Sequence, residues 1–322
     1  MVGEVADGND PAHTRATGGS VDTVAELVKT FFEEHVEAKR ALRTRQEYRR
    51  LFDRRILPEL GHFPITKITR QDVLRLHHRL KKTPYQANRI IAVLSKMFNW
   101  AELNGYRPDN TNPCRHVERY PEIPRKRYLS EREIGDLAAV LEQAESDSEF
   151  TPFVIATIRL LLLTGLRISD VLSMEWRQID FERRIIEVPD SKTGYVVNHL
   201  SEPALDVLSE IPKAVDNSHV IVGLKAGTHL VNIRKPWLII RARAGLEDVR
   251  IHDLRHTFGG VAASDGHSLQ IIGSLLGHKQ ASTTERYAHL APGPVRAAID
   301  SVGNKIANAM NRTDRNAGAR KT

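Results

Sequence analysis

The amino-acid sequence predicts a mainly helical protein with a small β-sheet, divided into two folded parts. Apolar residues recur at helical spacing over long stretches, beginning with residues 24–31. A stretch rich in proline, residues 106–127, has no sustained periodicity and separates the two parts. Within the second part, two β-like runs at 185–188 and 195–200 flank the turn-forming residues 189–194, which predicts a hairpin.

The composition limits the classes of protein that need to be considered. Lys and Arg (47) outnumber Asp and Glu (40) in the 322 residues, which favours a polyanionic partner without proving one. Cys114 is the single cysteine, so an intrachain disulfide and a cysteine-cluster metal site are excluded. No apolar run reaches the roughly 18 residues that a membrane-spanning helix needs. We therefore expect a soluble, cytoplasmic protein that does not associate with a membrane.

The pattern of apolar and capping residues in the first folded part predicts a four-helix domain. A capping box, Thr23 to Glu26, opens the first helix, and a second helix runs from about Thr44 and ends at Pro58. A third begins at Thr69, and a fourth covers about 86–103. The domain boundaries that we predict are a flexible leader at 1–20, a helical domain at 21–105, a linker at 106–127, a second domain at 128–300 and a tail at 301–322.

Basic residues concentrate in two helices of the first domain. Eight Lys or Arg lie between residues 36 and 58, and another eight between 66 and 96. One basic helix is usually a solvated surface, but two in one small domain favour contacts with the phosphates of DNA. The candidate DNA-binding residues are Arg43, Arg45, Arg49, Lys81, Lys82 and Arg89.

Two short motifs of the second domain place cations beside apolar segments. Thr-Gly-Leu-Arg at 164–167 follows a strongly apolar helix, and Arg167 there could equally cap that helix or pair with Asp170. His-Asp-Leu-Arg-His begins at His252, so that His252 and Arg255 share one face of a helix. Two groups that repel each other when charged are reasonable neighbours if an anion lies between them. The alternative is a solvated helix face, and we expect His256 to have a structural role.

Further along the chain, Leu-Gly-His ends at His278, and Tyr287 follows nine residues later. Tyr287 alone would be an ordinary core or surface residue. Together with Arg167, Arg255, the two histidines and Lys192 in the hairpin loop, it completes a set that could attack a phosphodiester without a metal.

These motifs, in this order and spacing, resemble the tyrosine recombinase family, which includes phage integrases and Xer-type recombinases. The stretch Leu-Gly-His-x8-Tyr at 276–287 is the most specific piece, and the resemblance extends over roughly 21–300. It implies a helical core-binding domain and a mixed α/β catalytic domain that form a C-shaped clamp on DNA.

The resemblance also implies a role for each matching residue. Tyr287 is the implied nucleophile, which forms a 3′-phosphotyrosine, and Arg167 and Arg255 hold the scissile phosphate. His252 is the implied acid/base near the tyrosine, and His278 donates to the phosphate. Lys192 protonates the leaving 5′-oxygen, and neither metal, ATP nor another cofactor is needed.

The implied partners are double-stranded DNA at a specific core site and three further copies of the chain, which assemble as a tetramer on two sites through a Holliday junction. The free protein would be a monomer or dimer, and a DNA-bending host factor or an excisionase could assist. Two other functions remain open: a type IB topoisomerase-like relaxase, and a non-catalytic DNA-binding protein of the same fold.

Four features depart from the family pattern or leave a question open. Asp170 stands where glutamate is common, and Val197 to Leu200 replace a more usual Val-Pro-Leu, which loosens the register that places Lys192. Gly259-Gly260 inside a predicted helix indicates either a close backbone approach or a short helix. An apolar stripe at Val295, Ile299, Val302 and Ile306 could pack on its own domain or on a neighbouring protomer.

Overall fold

The computed structural model describes residues 21–123, 125–191, 194–278, 280–290 and 299–310. The chain divides between Pro124 and Arg125 into two compact units. The predicted leader at 1–20 and the tail beyond residue 310 lie outside the described residues. In the part of the chain that the structure describes, no helix combines the length and apolar character needed to cross a bilayer.

The first unit is built from α-helices joined by short turns and by two π-helical segments, the first of them Phe32–Val36. Its helices are α1 (Val24–Phe31), α2 (Glu37–Lys39), α3 (Leu42–Leu51), α4 (Leu57–Leu60), α5 (Arg70–Arg79) and α6 (Pro84–Leu103). The predicted capping box at Thr23 is formed, because its side chain accepts from the Glu26 N–H while the Glu26 carboxylate accepts from the Thr23 N–H. Thr69 caps α5 in the same way.

The second helix does not end at Pro58, contrary to the prediction. A π-helical segment, Phe52–Ile56, joins α3 to α4, and the helical path continues through Pro58 to Leu60. The Leu57 N–H donates to the Phe52 carbonyl, five residues back, so a new turn begins there with Pro58 in its first positions. Proline is tolerated at these positions because its missing N–H is not needed for an intrahelical bond.

Aromatic side chains fill the core of the first unit, where Phe31, Phe32, Phe52 and Phe98 are almost wholly buried. Arg107 is buried against this core and is held by backbone oxygens. Its guanidinium donates to the carbonyls of two residues, Ile65 and Ile68, in the segment that leads into α5, and its Nε donates to Thr111. The arginine therefore links the chain that follows α6 to the segment that precedes α5.

The second unit combines helices with the predicted sheet. Its helices are α7 (Glu131–Ser146), α8 (Pro152–Thr164), α9 (Ile168–Leu172), α10 (Glu202–Glu210), α11 (Arg234–Arg243), α12 (Ile251–Ser264), α13 (Leu269–Leu275) and α14 (Ala281–Thr284), followed by a 3₁₀ segment, Glu285–Leu290. Helix α8 is apolar on nearly every face because it forms the centre of the core, where Ile155, Ile158 and Leu160 are fully buried.

The sheet has three antiparallel strands in the order β1 (Ile179–Asp180), β2 (Ile185–Ser191) and β3 (Gly194–His199). The strands extend further into the predicted loop than its turn-forming residues indicated, and Ser191 pairs with Gly194. The register shifts between Val188 and Ser191. Lys192, the candidate proton donor, lies outside the described residues.

Residues 299–310 form a helix in which every residue is exposed, including Ile299, Val302 and Ile306 of the predicted apolar stripe. Val295, the first member of that stripe, lies outside the described residues. The described part of the stripe is therefore an apolar surface available to another molecule.

We predict that Arg107→Met lowers the free energy of unfolding by about 2–5 kcal/mol, because buried carbonyls at Ile65 and Ile68 lose their donor. Chemical denaturation of the purified protein measures this change. The matched control is Arg119→Met, which changes an exposed arginine of the same unit and should alter stability by less than about 0.5 kcal/mol. Equal effects of the two substitutions would contradict the structural role of Arg107.

Candidate active site

A single buried arginine brings together the separate motifs of the second unit. Arg255, on α12, is 4% exposed, and its two terminal nitrogens donate to the carbonyls of Gly165 and Leu276. Gly165 precedes Arg167 by two residues, and Leu276 precedes His278 by two. One guanidinium thus links the Thr-Gly-Leu-Arg turn to the Leu-Gly-His turn, which are more than a hundred residues apart in the sequence.

Both turns contain a glycine with left-handed backbone geometry. Gly165 ends α8 with φ of 61°, and Gly277 follows α13 with φ of 60°. A side chain at Gly165 would also collide with its surroundings, since a Cβ there would lie 2.5 Å from the Phe258 ring. The glycines of these motifs are therefore required by conformation and space.

Arg167 leads into α9 and is mostly buried. Its Nη1 lies 3.7 Å from Oδ2 of Asp170, a distance that makes an ion pair and not a direct hydrogen bond. The other oxygen of Asp170 accepts from the Ser169 hydroxyl at 3.0 Å. The shorter aspartate therefore supports the arginine electrostatically and without a direct hydrogen bond.

Tyr287 lies in the 3₁₀ segment and packs against α12, with only 3% of its surface exposed. Its hydroxyl is 2.9 Å from Nδ1 of His256. A Cβ at Gly259 would stand 2.6 Å from Cζ of the tyrosine ring, so no larger residue fits there. Helix α12 continues through Gly259 to Ser264, so the helix is not short. Of the two explanations for the glycine pair, the close approach therefore applies at Gly259, where the Tyr287 ring packs against the helix.

The histidine that touches the phenol is His256, which the sequence analysis assigned only a structural role. His252, which we expect near the tyrosine, packs edge to face on His256, with ring centroids 4.7 Å apart. One signal could have found this contact: residues 252, 255, 256 and 259 follow the i, i+3, i+4, i+7 pattern and form one stripe of α12.

His278 is half-buried, and its Nδ1 lies 3.0 Å from the hydroxyl oxygen of Thr284 on α14. Burial, with the charges of Arg255 and Arg167, lowers the pKa of His278 to about 4. Thr284 belongs to the Ser-Thr-Thr stretch between His278 and Tyr287. Its hydrogen bond to Nδ1 fixes the orientation of the imidazole ring.

The cationic groups of this cluster repel one another. Burial and the charge of Arg167 lower the pKa of the Arg255 guanidinium to about 10. Burial and neighbouring positive charges lower the pKa of His256 to about 4 and also lower that of His252. Burial raises the pKa of the Tyr287 phenol, and Arg286 and Arg255 oppose that change. Such a concentration of mutually opposed cations is typical of a site for an anion.

The six candidate DNA-binding residues all belong to the first unit, and their surroundings differ. Four of them are exposed, and their side chains have no partner among the residues that the structure describes: Arg43, Lys81, Lys82 and Arg89. The other two make contacts within the unit, because the Arg45 Nε donates to the Arg40 carbonyl at 2.6 Å and the Arg49 guanidinium lies 3.9 Å above the Phe32 ring. Arg49 is also 3.7 Å from Glu37. Among the residues described, no three His, Cys, Asp or Glu side chains gather in a group that could hold a metal ion.

Two family models match the chain, one on each unit. Residues 127–293 match the model of the phage integrase family, and residues 24–118 match that of the phage integrase central domain. Among curated proteins, a tyrosine recombinase of Thermosipho africanus is 28% identical over 70% of this chain and 82% of its own length. The integrase of Salmonella phage P22 is 30% identical, but the match spans 48% of this chain and 44% of that integrase.

Solved structures share the fold at low sequence identity. A lambda integrase dimer bound to a COC′ core site has a TM-score of 0.65 and 18% identity, over 81% of this chain and 97% of that one. The Tn1549 transposon integrase in complex with circular intermediate DNA has a TM-score of 0.66 and 19% identity, over 86% of this chain and 99% of that one.

We predict that Gly259→Ala lowers the free energy of unfolding by about 1–3 kcal/mol, because the added methyl group overlaps the Tyr287 ring. Gly135→Ala is the matched control, since it makes the same change inside α7, where a Cβ meets nothing within 4 Å. That control should gain up to about 1 kcal/mol from helix propensity. Urea denaturation distinguishes the two, and an equal gain for Gly259→Ala would refute the close approach.

We predict that stability falls as the pH drops from about 6.5 to about 4, the interval between the ordinary and the lowered pKa of His256 and His278. In this interval the unfolded chain binds more protons than the folded one, so protonation favours unfolding, and the contribution is fully present only above pH 6.5. Scanning calorimetry should show a smaller loss of thermal midpoint for His256→Asn and His278→Asn than for the wild type. His267→Asn, at an exposed position, is the control and should behave as the wild type does.

Proposed function

We propose that this chain, which belongs to the phage integrase family of tyrosine recombinases, is a site-specific DNA recombinase with Tyr287 as its nucleophile. The observation that carries the proposal is the surroundings of that tyrosine. The charge of Arg255 acts on the buried phenol to lower its pKa, and Arg255 also holds the turns that bear Arg167 and His278. This arrangement can bind a phosphate diester and can stabilise the charge that develops during its cleavage.

Each residue has a distinct role in the proposed reaction. The Tyr287 oxygen attacks the scissile phosphorus, the new O–P bond forms a 3′-phosphotyrosine, and the bond to the 5′-oxygen breaks. Arg167 and Arg255 donate to the non-bridging oxygens, because a guanidinium offers paired N–H groups that match them. His278 donates to the same phosphate. The leaving 5′-oxygen takes its proton from Lys192, and His252 serves as acid/base in the same cleft.

Reversal of this step supplies strand exchange. The phosphotyrosine keeps the free energy of the phosphodiester bond, so a 5′-hydroxyl of a second duplex can displace Tyr287 without ATP. Two successive exchanges pass through a Holliday junction. No metal ion enters the reaction as written, and the leaving group is protonated by a side chain.

Double-stranded DNA at a specific core site is the proposed substrate, contacted by both units. The exposed residues Arg43, Lys81, Lys82 and Arg89 are the best placed of the candidate phosphate contacts, since they are exposed and have no partner among the described residues. Arg45 and Arg49 would have to leave contacts within the unit or share them with DNA. We assign the helical domain to 21–105 and the catalytic domain to 128–300, joined by the linker 106–127.

A tetramer on two DNA sites is the proposed active assembly, with the free protein a monomer or dimer. The exposed stripe at 299–310 supports packing of this helix on a neighbouring protomer, since Ile299, Val302 and Ile306 are left open to solvent. A solved lambda integrase tetramer bound to a Holliday junction shares the fold, with a TM-score of 0.65 at 17% identity, over 85% of this chain and 82% of that one. We further propose a cytoplasmic integrase of a mobile element, aided by a DNA-bending factor or an excisionase.

A covalent-capture assay tests the proposal. Purified protein is incubated in EDTA with nicked duplexes that carry a randomised core, and DNA that stays linked to protein in detergent is recovered and sequenced. We expect an adduct that is absent with Tyr287→Phe, because the nucleophilic oxygen is removed while the ring is kept. Enriched core sequences then provide a defined substrate for strand exchange.

Each other outcome contradicts part of the proposal. An adduct that persists in Tyr287→Phe assigns the nucleophile to another residue. Relaxation of any supercoiled plasmid, with no enriched core sequence, would make the protein a type IB topoisomerase-like relaxase. Retention of DNA in native conditions with no adduct would make it a non-catalytic DNA-binding protein.

A further inference from the structure

The Tyr287 hydroxyl has one described hydrogen-bond partner, and that partner lies outside the set of reactive residues that the sequence suggested. Nδ1 of His256 is 2.9 Å from the phenol oxygen. Gly259, one turn further along α12, lets the ring approach the helix closely enough for this contact. The imidazole is partly buried, and the phenol is almost wholly so.

Arg286 decides which nitrogen of His256 carries the proton. Its Nη1 lies 3.1 Å from Nε2 of His256. A guanidinium can only donate hydrogen bonds, so Nε2 must be the unprotonated acceptor. The proton of the neutral ring is then on Nδ1, and it points at the phenol oxygen. His256 stays neutral near pH 7 because burial and neighbouring cations lower its pKa to about 4.

We propose that His256 is a catalytic residue that donates a hydrogen bond from Nδ1 to the Tyr287 oxygen and stabilises the tyrosinate, and that Arg286 is a positioning residue that fixes the His256 tautomer. This inference rests on the proposed function of Tyr287 as nucleophile. It makes His256 a donor to the attacking atom and excludes it as the base that takes the phenol proton.

The proton balance of the cleavage step follows from this assignment. As the Tyr287 oxygen forms its bond to phosphorus, its proton passes to the proposed acid/base His252, whose ring packs on that of His256. The pKa of His252 is also lowered, so its imidazole is neutral and able to accept a proton. The 5′-oxygen leaves with the electron pair of the broken P–O bond and receives a proton from Lys192. His256 keeps its own proton throughout and strengthens its hydrogen bond as negative charge develops on the phenol oxygen.

The charged and titratable groups around this pair come from several elements. Helix α12 contributes His252, Arg255 and, at its start, Asp253; His278 follows α13; and Arg286 precedes the tyrosine. The cations among them favour a phenolate over a phenol. The pH dependence of cleavage therefore reports on the whole cluster, and only a comparison between variants isolates the contribution of His256.

Two substitutions at position 256 separate a donor from a base. The side-chain amide of asparagine can place its N–H where Nδ1 of histidine stands, but it cannot accept the phenol proton. On a nicked duplex enriched by the covalent-capture assay, we expect His256→Ala to slow adduct formation about 100-fold, as for loss of one donor to a developing oxyanion. His256→Asn should stay within about 10-fold of the wild type. The pH of half-maximal cleavage should rise by about one unit in His256→Ala and much less in His256→Asn.

The tautomer is measured without DNA. Two-bond ¹⁵N–¹H correlation spectra of ¹⁵N-histidine-labelled protein should show His256 protonated on Nδ1 in the wild type. Arg286→Ala should change this pattern and slow cleavage. Arg177→Ala, which removes an exposed arginine elsewhere in the second unit, should change neither. Thermal midpoints of all variants at pH 7 confirm that they are folded.

Several results would overturn the inference. Equal loss in His256→Asn and His256→Ala would make His256 the base, and wild-type rates and pH profiles in both would make it merely structural. An Nε2-protonated ring in the wild-type spectrum would refute the role of Arg286. If the wild type forms no adduct on any duplex, the proposed function fails, whereas the spectrum still decides the hydrogen-bond assignment.

Discussion

The buried guanidinium of Arg255 is the constraint on which the site depends. Burying a cation is unfavourable unless its N–H groups find acceptors, and here the carbonyls of Gly165 and Leu276 accept. Because those carbonyls belong to two chain turns, the hydrogen bonds also set where Arg167 and His278 stand. The left-handed glycines at 165 and 277 make each turn possible.

Helix α12 sets the spacing of the residues in the site. Residues 252, 255, 256 and 259 form one stripe on this helix. The type of residue at each of these positions suits the group that it contacts. Arg255 reaches the two turns, His256 meets the phenol, Gly259 makes room for the tyrosine ring, and His252 packs on His256. One helix thereby fixes the relative placement of these four positions.

The site concentrates positive charge in a way that is electrostatically unfavourable. Positive groups share a small space, and their repulsion, with burial, lowers the pKa values of Arg255 and the three histidines. A phosphate diester, the proposed substrate, would relieve this repulsion on binding, so the same charges that reduce the stability of the folded unit would favour its binding. Neutral histidines also make the cluster tolerable near pH 7, because they can donate or accept hydrogen bonds without adding charge.

The sequence by itself determined the mainly helical class, the hairpin, the capping box at Thr23 and the family, because local periodicity and short motifs carry that information. Spacing alone put His252 and Arg255 on one helix face. Only the tertiary structure decided that His256 meets Tyr287 and that Gly259 is a matter of space, since both depend on a segment some thirty residues away. The helical path through Pro58 was equally beyond local rules, because the π-helical segment before Leu57 lets a new turn begin in which Pro58 needs no N–H.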